Sequence, residues 1–197
     1  MFGLTDRELS LLKPLDTPRK IQDFLERIPA NLCEDRDTCL SPRMVLREKR
    51  AHCVEGAMLA ALALRLHAER PLVVDLTANA KDQDHVIAVF RRGGYWGAIS
   101  KTNHAVLRYR EPVYRTIREL VMSYFHEYTV DDGSKTLRSF SRPVDLARFD
   151  RLGWPTSEED VWAVPEYLAD VPHIPILTRS QIAALRLSDP IEREVVM

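Results

Sequence analysis

The stretch that most constrains this chain is Val54-Glu55-Gly56-Ala57-Met58-Leu59-Ala60-Ala61-Leu62-Ala63-Leu64, in which Glu55 is the one charge. Beyond Glu55 a helix here is apolar on every side and rich in alanine. It has no face to give to water, so it must be enclosed, and its small side chains let neighbours approach closely. The run falls far short of the roughly 18 apolar residues of a membrane span. Arg65 and His67-Ala68-Glu69-Arg70 return the chain to the surface. A protein of 197 residues, 45% hydrophobic, can enclose such a helix in one domain and has little room for two. The expectation is a single domain over 1–197 with its core at about residues 41–130.

Charge narrows the class. Lys plus Arg total 28 against 29 for Asp plus Glu, a net charge of -1. That balance argues against nucleic acid held by a basic surface and against an acidic disordered tail. No segment is apolar enough for a membrane partner. Asp6, Arg7, Glu8 and Lys13 interrupt any signal-peptide core near the N-terminus. The three cysteines, Cys33, Cys39 and Cys53, form no Cys-x-x-Cys pair. They read as reduced thiols of a cytoplasmic protein, without a structural zinc site.

Along the chain, Thr5-Asp6-Arg7-Glu8 has capping-box spacing, and Thr17-Pro18 is a second helix start. Ile21, Phe24, Leu25 and Ile28 make one apolar stripe behind it. Pro29-Ala30-Asn31 ends that helix, Cys33 to Cys39 reads as a polar surface loop, and Ser41-Pro42 starts another short helix. After the buried helix come three strand candidates: Leu72–Leu76, His85–Phe90 and Tyr95–Ser100, the last two joined across Arg91-Arg92-Gly93-Gly94. One buried helix before an antiparallel sheet is an α+β arrangement. Pro112 is expected to open a helix carrying Ile117, Leu120, Val121 and Tyr124 on one face. The proline-rich remainder is expected to wrap the core irregularly, with short helices near 145–151, 157–161 and 180–187.

Cys53 is the residue that points to chemistry. It stands where a surface turn becomes the buried helix, so its sulfur feels the positive end of the helix dipole, which favours thiolate. The N–H groups of Cys53 and Val54 belong to a first helical turn, where backbone donors lack intrahelical partners and can hold an oxyanion. Position alone also suits a small core cysteine. His85 opens an apolar strand, where a neutral imidazole can accept a thiol proton. A four-residue loop would pair His85 with Ser100; a two-residue Gly93-Gly94 turn would pair it with Thr102. Either way Ser100, Lys101, Thr102 and Asn103 return beside the ring, and Ser100 or Asn103 can orient it. Asp82 and Asp84 lie just upstream and are alternatives.

Ala51-His52-Cys53-Val54-Glu55-Gly56-Ala57, with Ala60 to Arg65 and Pro71-Leu72-Val73-Val74, resembles the nucleophile helix and following strand of the transglutaminase-like superfamily. That superfamily has a papain-like cysteine-hydrolase core. His85, Gly93-Gly94 and Trp96 stand where it has a strand-opening histidine, a turn and a tryptophan; Ser100 stands where it has aspartate. Trp96 to Lys101 and Arg110 to Tyr114 look like a bacterial subgroup of such proteins. The resemblance implies Cys53 as nucleophile and His85 as general base. It implies acyl transfer or hydrolysis at an amide or thioester carbonyl of a peptide, protein or small molecule, with no cofactor and no metal. It also admits members that keep the fold without turnover and act by binding.

Other features have plainer readings. Asn31 is an upstream amide that suits an oxyanion hole, or simply a helix end. His52, beside Cys53, is expected to point elsewhere. Glu55 is expected to serve the helix dipole. A metal site joining Cys33 and Cys39 to a histidine lacks the usual spacing. The basic run Arg108, Arg110, Arg115 and Arg118, offset by Glu111 and Glu119, reads as a solvated face. Trp96, Tyr114, Tyr124 and Phe125 read as core.

Overall fold

The computed structural model describes residues 1–32 and 36–196. In chain order the elements are α1 (Asp6–Leu12), α2 (Pro18–Glu26), α3 (Pro42–Glu48), α4 (Cys53–Leu66), β1 (Leu72–Ala78), β2 (His85–Arg92), β3 (Tyr95–Ile99), β4 (Arg110–Tyr114) and α5 (Ile117–Met122). They continue with β5 (Leu137–Ser141), β6 (Val144–Asp145), a 3-10 helix (Leu146–Leu152), α6 (Ala163–Asp170), β7 (His173–Pro175), α7 (Arg179–Ala183) and α8 (Pro190–Val196). The fold is α+β, built on a seven-stranded antiparallel sheet of order β4-β3-β2-β1-β5-β7, with β6 paired to β1. Among the described residues no helix is long and apolar enough to cross a membrane.

The helix starts follow their caps. Thr5 accepts from the Glu8 N–H at 3.3 Å while Glu8 Oε2 accepts from the Thr5 N–H at 2.7 Å. Thr17 and Ser41 cap α2 and α3, each with proline at the first turn. Every residue of α4 from Val54 to Leu64 is buried. This helix packs on β2, and α2 and α3 close over it. Val73, Val86, Ala88, Phe90 and Ile99 face it from the sheet. The alternate residues, Leu72, Val74, Leu76, Ile87, Val89 and Ala98, face a second core with Leu120, Val121, Tyr124, Tyr128 and Phe140. The two-residue period thus splits the sheet between two apolar layers.

Gly93 and Gly94 both have positive φ, 57° and 88°, and form a two-residue turn. Arg92 pairs with Tyr95, and the register runs to Ala88 opposite Ile99. Continued, it sets Thr102 opposite His85 and Ser100 opposite Ile87. His85 and Ser100 are therefore diagonal neighbours on one face of the sheet, within reach of each other.

Several expectations are corrected. Pro112 lies in the edge strand β4, where its missing N–H breaks no ladder, and Thr116 caps the helix instead, accepting from the Glu119 N–H at 3.1 Å. The C-terminal third is not a loose wrap: β5, β6 and β7 extend the sheet beyond β1. The helix expected near 157–161 lies instead at Ala163–Asp170, and the third begins after the Thr178 cap and ends at Ala183. Of the expected surface loop, Arg36 and Asp37 are exposed but Thr38 and Cys39 are buried, and Cys39 is sealed off, its thiol donating to the Val161 carbonyl. Cys33 lies outside the described residues.

Candidate active site

Cys53 is the first residue of α4 and sits half-buried on a cleft of about 770 Å³. Its sulfur lies near the start of β2, where the His85 ring and the Val86 N–H both act to lower its thiol. The ring of His52 acts on the thiol as well. Burial pushes the thiol up, but the hydrogen bonds from His52 and His85, the nearby His85 ring and the Val86 N–H outweigh it. The thiol falls to about 5 from an ordinary 9.0. Cys39 goes the other way: burial and the Glu55 and Asp160 carboxylates push its thiol far up. Of these two thiols, only Cys53 is held in a nucleophilic state.

The proton positions around His85 follow from the acceptor inventory. The ring is buried, and its Nε2 lies 2.8 Å from Ser100 Oγ. Ser100 Oγ in turn donates to the Leu107 carbonyl at 2.5 Å. A hydroxyl has one proton, and a carbonyl can only accept it. Ser100 must therefore accept from His85, so Nε2 carries the hydrogen. Nδ1 is then the nitrogen left for the sulfur, able to accept the thiol proton and, holding it, to donate to the thiolate. Ser100 is itself fixed: Gln22 receives the Ser100 N–H at 2.9 Å and donates to the Ser100 carbonyl at 2.8 Å. Leu107 has a φ of 60°, unusual for a residue with a branched side chain, and its N–H is held by Glu127 at 3.0 Å.

The other candidates fall as follows. Asn103 is exposed on the cleft wall, and the ring is bonded to Ser100 instead. Asp82 accepts from Thr136 and the Gln83 N–H, and Asp84 accepts from the Ala78 N–H. Asn31 also lines the cleft, but its amide donates to Thr38 Oγ1 at 2.7 Å and to Glu55 Oε2 at 3.0 Å. It is turned toward Glu55 rather than presented to the sulfur. The N–H groups of Cys53 and Val54 lie in the first turn beside the sulfur.

Two residues exceed their expected roles. His52 does not point away from the site: its backbone is extended (φ -93°, ψ -172°), so helix-face arithmetic does not apply, and its ring lines the same cleft as Cys53 and acts on the thiol. Glu55 is the acidic residue of the first turn of α4, as expected, and does more than serve the dipole. It is fully buried and receives the Thr38 hydroxyl at 2.7 Å, the Leu40 N–H at 2.8 Å and the His52 N–H at 2.9 Å. Gln22 and Leu107 had no role in the sequence reading. The polar Gln22 on the buried side of an amphipathic helix was a signal; nothing in the sequence flags Leu107.

The cleft continues into a neighbouring cavity of about 740 Å³ that shares Lys81, Asp82, His104, Leu107 and Tyr128 with it. Trp162, 41% exposed, stands on the first cleft. Arg108 and Arg110, from the basic run, pair with Glu26 and Glu127. Among the described residues no group of three or more His, Cys, Asp or Glu has metal-site geometry. No protein-family model matches the chain, and no curated protein matches it.

Proposed function

We propose that this chain is a transglutaminase-like cysteine enzyme with a papain-like core, acting by acyl transfer or hydrolysis at an amide or thioester carbonyl. The observation that carries the reading is the hydrogen-bond chain Leu107 carbonyl–Ser100–His85, which leaves the ring's other nitrogen as a base beside the Cys53 sulfur. A thiol at the start of a buried helix, facing the first residue of an antiparallel strand, supports the papain-like assignment.

In this mechanism Cys53 passes its proton to Nδ1 of His85, its sulfur attacks the carbonyl carbon, and first-turn N–H groups of Cys53 and Val54 hold the oxyanion. The C–N or C–S bond of the substrate breaks, and its leaving group takes a proton from His85. His85 then removes a proton from the acceptor, which attacks the thioester and releases Cys53. Water as acceptor gives a hydrolase and an amine gives a transferase. The substrate is a peptide, a protein or a small amide or thioester.

The test is acylation by p-nitrophenyl acetate and by a peptide thioester, with the modified residue mapped by mass spectrometry. Acyl transfer to Cys53, lost in Cys53→Ala and slowed in His85→Ala, is the expected result. If Cys53 is acylated no faster than Cys33 and Cys39, and His85→Ala changes nothing, the cleft is a docking groove of a protein without turnover.

A further inference from the structure

Cys53 shares its cleft with two imidazoles that act on its thiol, His52 and His85, and the mechanism above uses one. The second, His52, is built in more firmly than a helix-flanking residue requires. Its Nε2 is 2.8 Å from the Thr38 carbonyl and 3.3 Å from Glu55 Oε1. Both partners only accept, so Nε2 carries a hydrogen in every state of the ring. Glu55 is fully buried. Among the described residues the other donors that reach it are the Thr38 hydroxyl, the Leu40 and His52 N–H groups and the Asn31 amide, all neutral. A buried carboxylate needs a balancing charge, and of the described groups that reach it only the His52 ring can supply one. The same ring lines the cleft beside Cys53 and lowers its thiol.

We propose that His52 is a second catalytic histidine: a standing imidazolium, held charged between Glu55 and the Cys53 thiolate, that stabilises the nucleophile while His85 alone moves protons. The assignment rests on the cysteine-enzyme reading above. It divides the work of the usual thiolate–imidazolium pair between two rings. With His52 to keep the sulfur ionised, His85 can give its Nδ1 proton to the leaving group, and the lone pair this exposes then takes the proton of the acyl acceptor. The groups that face this unit are Glu55 on α4, His85 on β2, and Cys39, Tyr128 and Asp160 from the surrounding segments. Burial pushes the His52 ring down, but the hydrogen bond to Cys53, the Glu55 charge and the Thr38 carbonyl raise it to about 9, in the direction the geometry requires.

The experiment is the pH dependence of Cys53 alkylation by iodoacetamide, read by peptide mapping, in the wild type, His52→Gln and His85→Gln. The expected result is a low inflection in the wild type that moves up by about two pH units in His52→Gln, so that alkylation at pH 6 falls about tenfold. His85→Gln should move it less. An inflection that moves in His85→Gln and stays in His52→Gln overturns the proposal. Titration of the wild-type His52 ring by NMR tests it without a substitution: a ring still charged at pH 8 supports it, and one neutral at pH 7 overturns it. The two readings fail separately. Acylation of Cys53 by the ester together with an unmoved His52→Gln profile removes His52 from the mechanism but leaves the enzyme. A moved profile without acylation supports the ion pair and removes the enzyme.

Discussion

Ser100 has to be a hydroxyl because of what flanks it. It accepts from one neighbour and donates to another, the His85 ring at 2.8 Å and the Leu107 carbonyl at 2.5 Å. A carboxylate there can only accept, and it would meet the carbonyl oxygen with no proton between them. Ser100→Asp is therefore expected to lower stability by about 1–3 kcal/mol and to slow Cys53 alkylation; urea unfolding and alkylation rates check both. A faster Ser100→Asp enzyme would refute the proton arrangement. The site also sets a pH dependence. The depressed thiol contributes stability that is complete above its unfolded value of 9.0 and lost as pH falls through about 5. The raised His52 ring contributes stability that is complete below 6.5 and lost as pH rises through about 9. Between 6.5 and 9 the two trends oppose; from 6.5 down to 5 only the thiol changes. The stability difference between wild type and Cys53→Ser should shrink over that lower interval. Cys53, His85 and Ser100 were legible in the sequence because a helix start, a strand start and a glycine turn fix where each side chain goes. His52 was not, because an extended residue before a helix obeys neither periodicity.

Among the elements, α4 is fixed at its first turn from two directions. Glu55 ties that turn to the segment from Thr38 to Leu40. The stem of Lys101 lies across Gly56: a Cβ there would overlap Lys101 Cβ and stand 2.8 Å from its Cγ. Lys101 cannot easily yield, since its ammonium donates to the Ile28 carbonyl at 2.5 Å. Alanine is intrinsically favoured over glycine in a helix by about 1 kcal/mol, yet overpacking of this kind costs about 1–3 kcal/mol. Gly56→Ala is expected to lower the melting temperature and to slow Cys53 alkylation together, because the turn that must move carries the sulfur; a rise in melting temperature would refute this. The helix itself was plain from its unbroken apolar run. Strand β4 was hidden because proline, a helix-start signal elsewhere in this chain, is equally at home on a sheet edge. Strands β6 and β7, of two and three residues, are too short to show alternation.

The whole molecule is a sheet between two apolar layers, one made by α4 and the N-terminal helices, the other by α5 and the segment after it. The sequence pointed to the first layer through α4. The second was less visible, because Leu120, Val121, Tyr124 and Tyr128 find their partners only once β1 and β2 present their alternate residues. The C-terminal strands lengthen the same sheet, and His173 on β7 reaches back across β5 to the buried Asp75 of β1 at 2.8 Å. The tryptophans are unequally placed in this body: Trp154 is sealed inside, Trp96 is half-covered, and Trp162 stands on the cleft. An indole half in water emits differently once another molecule covers it. Occupancy of the cleft should thus register as a shift in intrinsic fluorescence that Trp162→Phe abolishes, giving the protein an optical sensor of its own for screening compounds without a dye or a turnover assay.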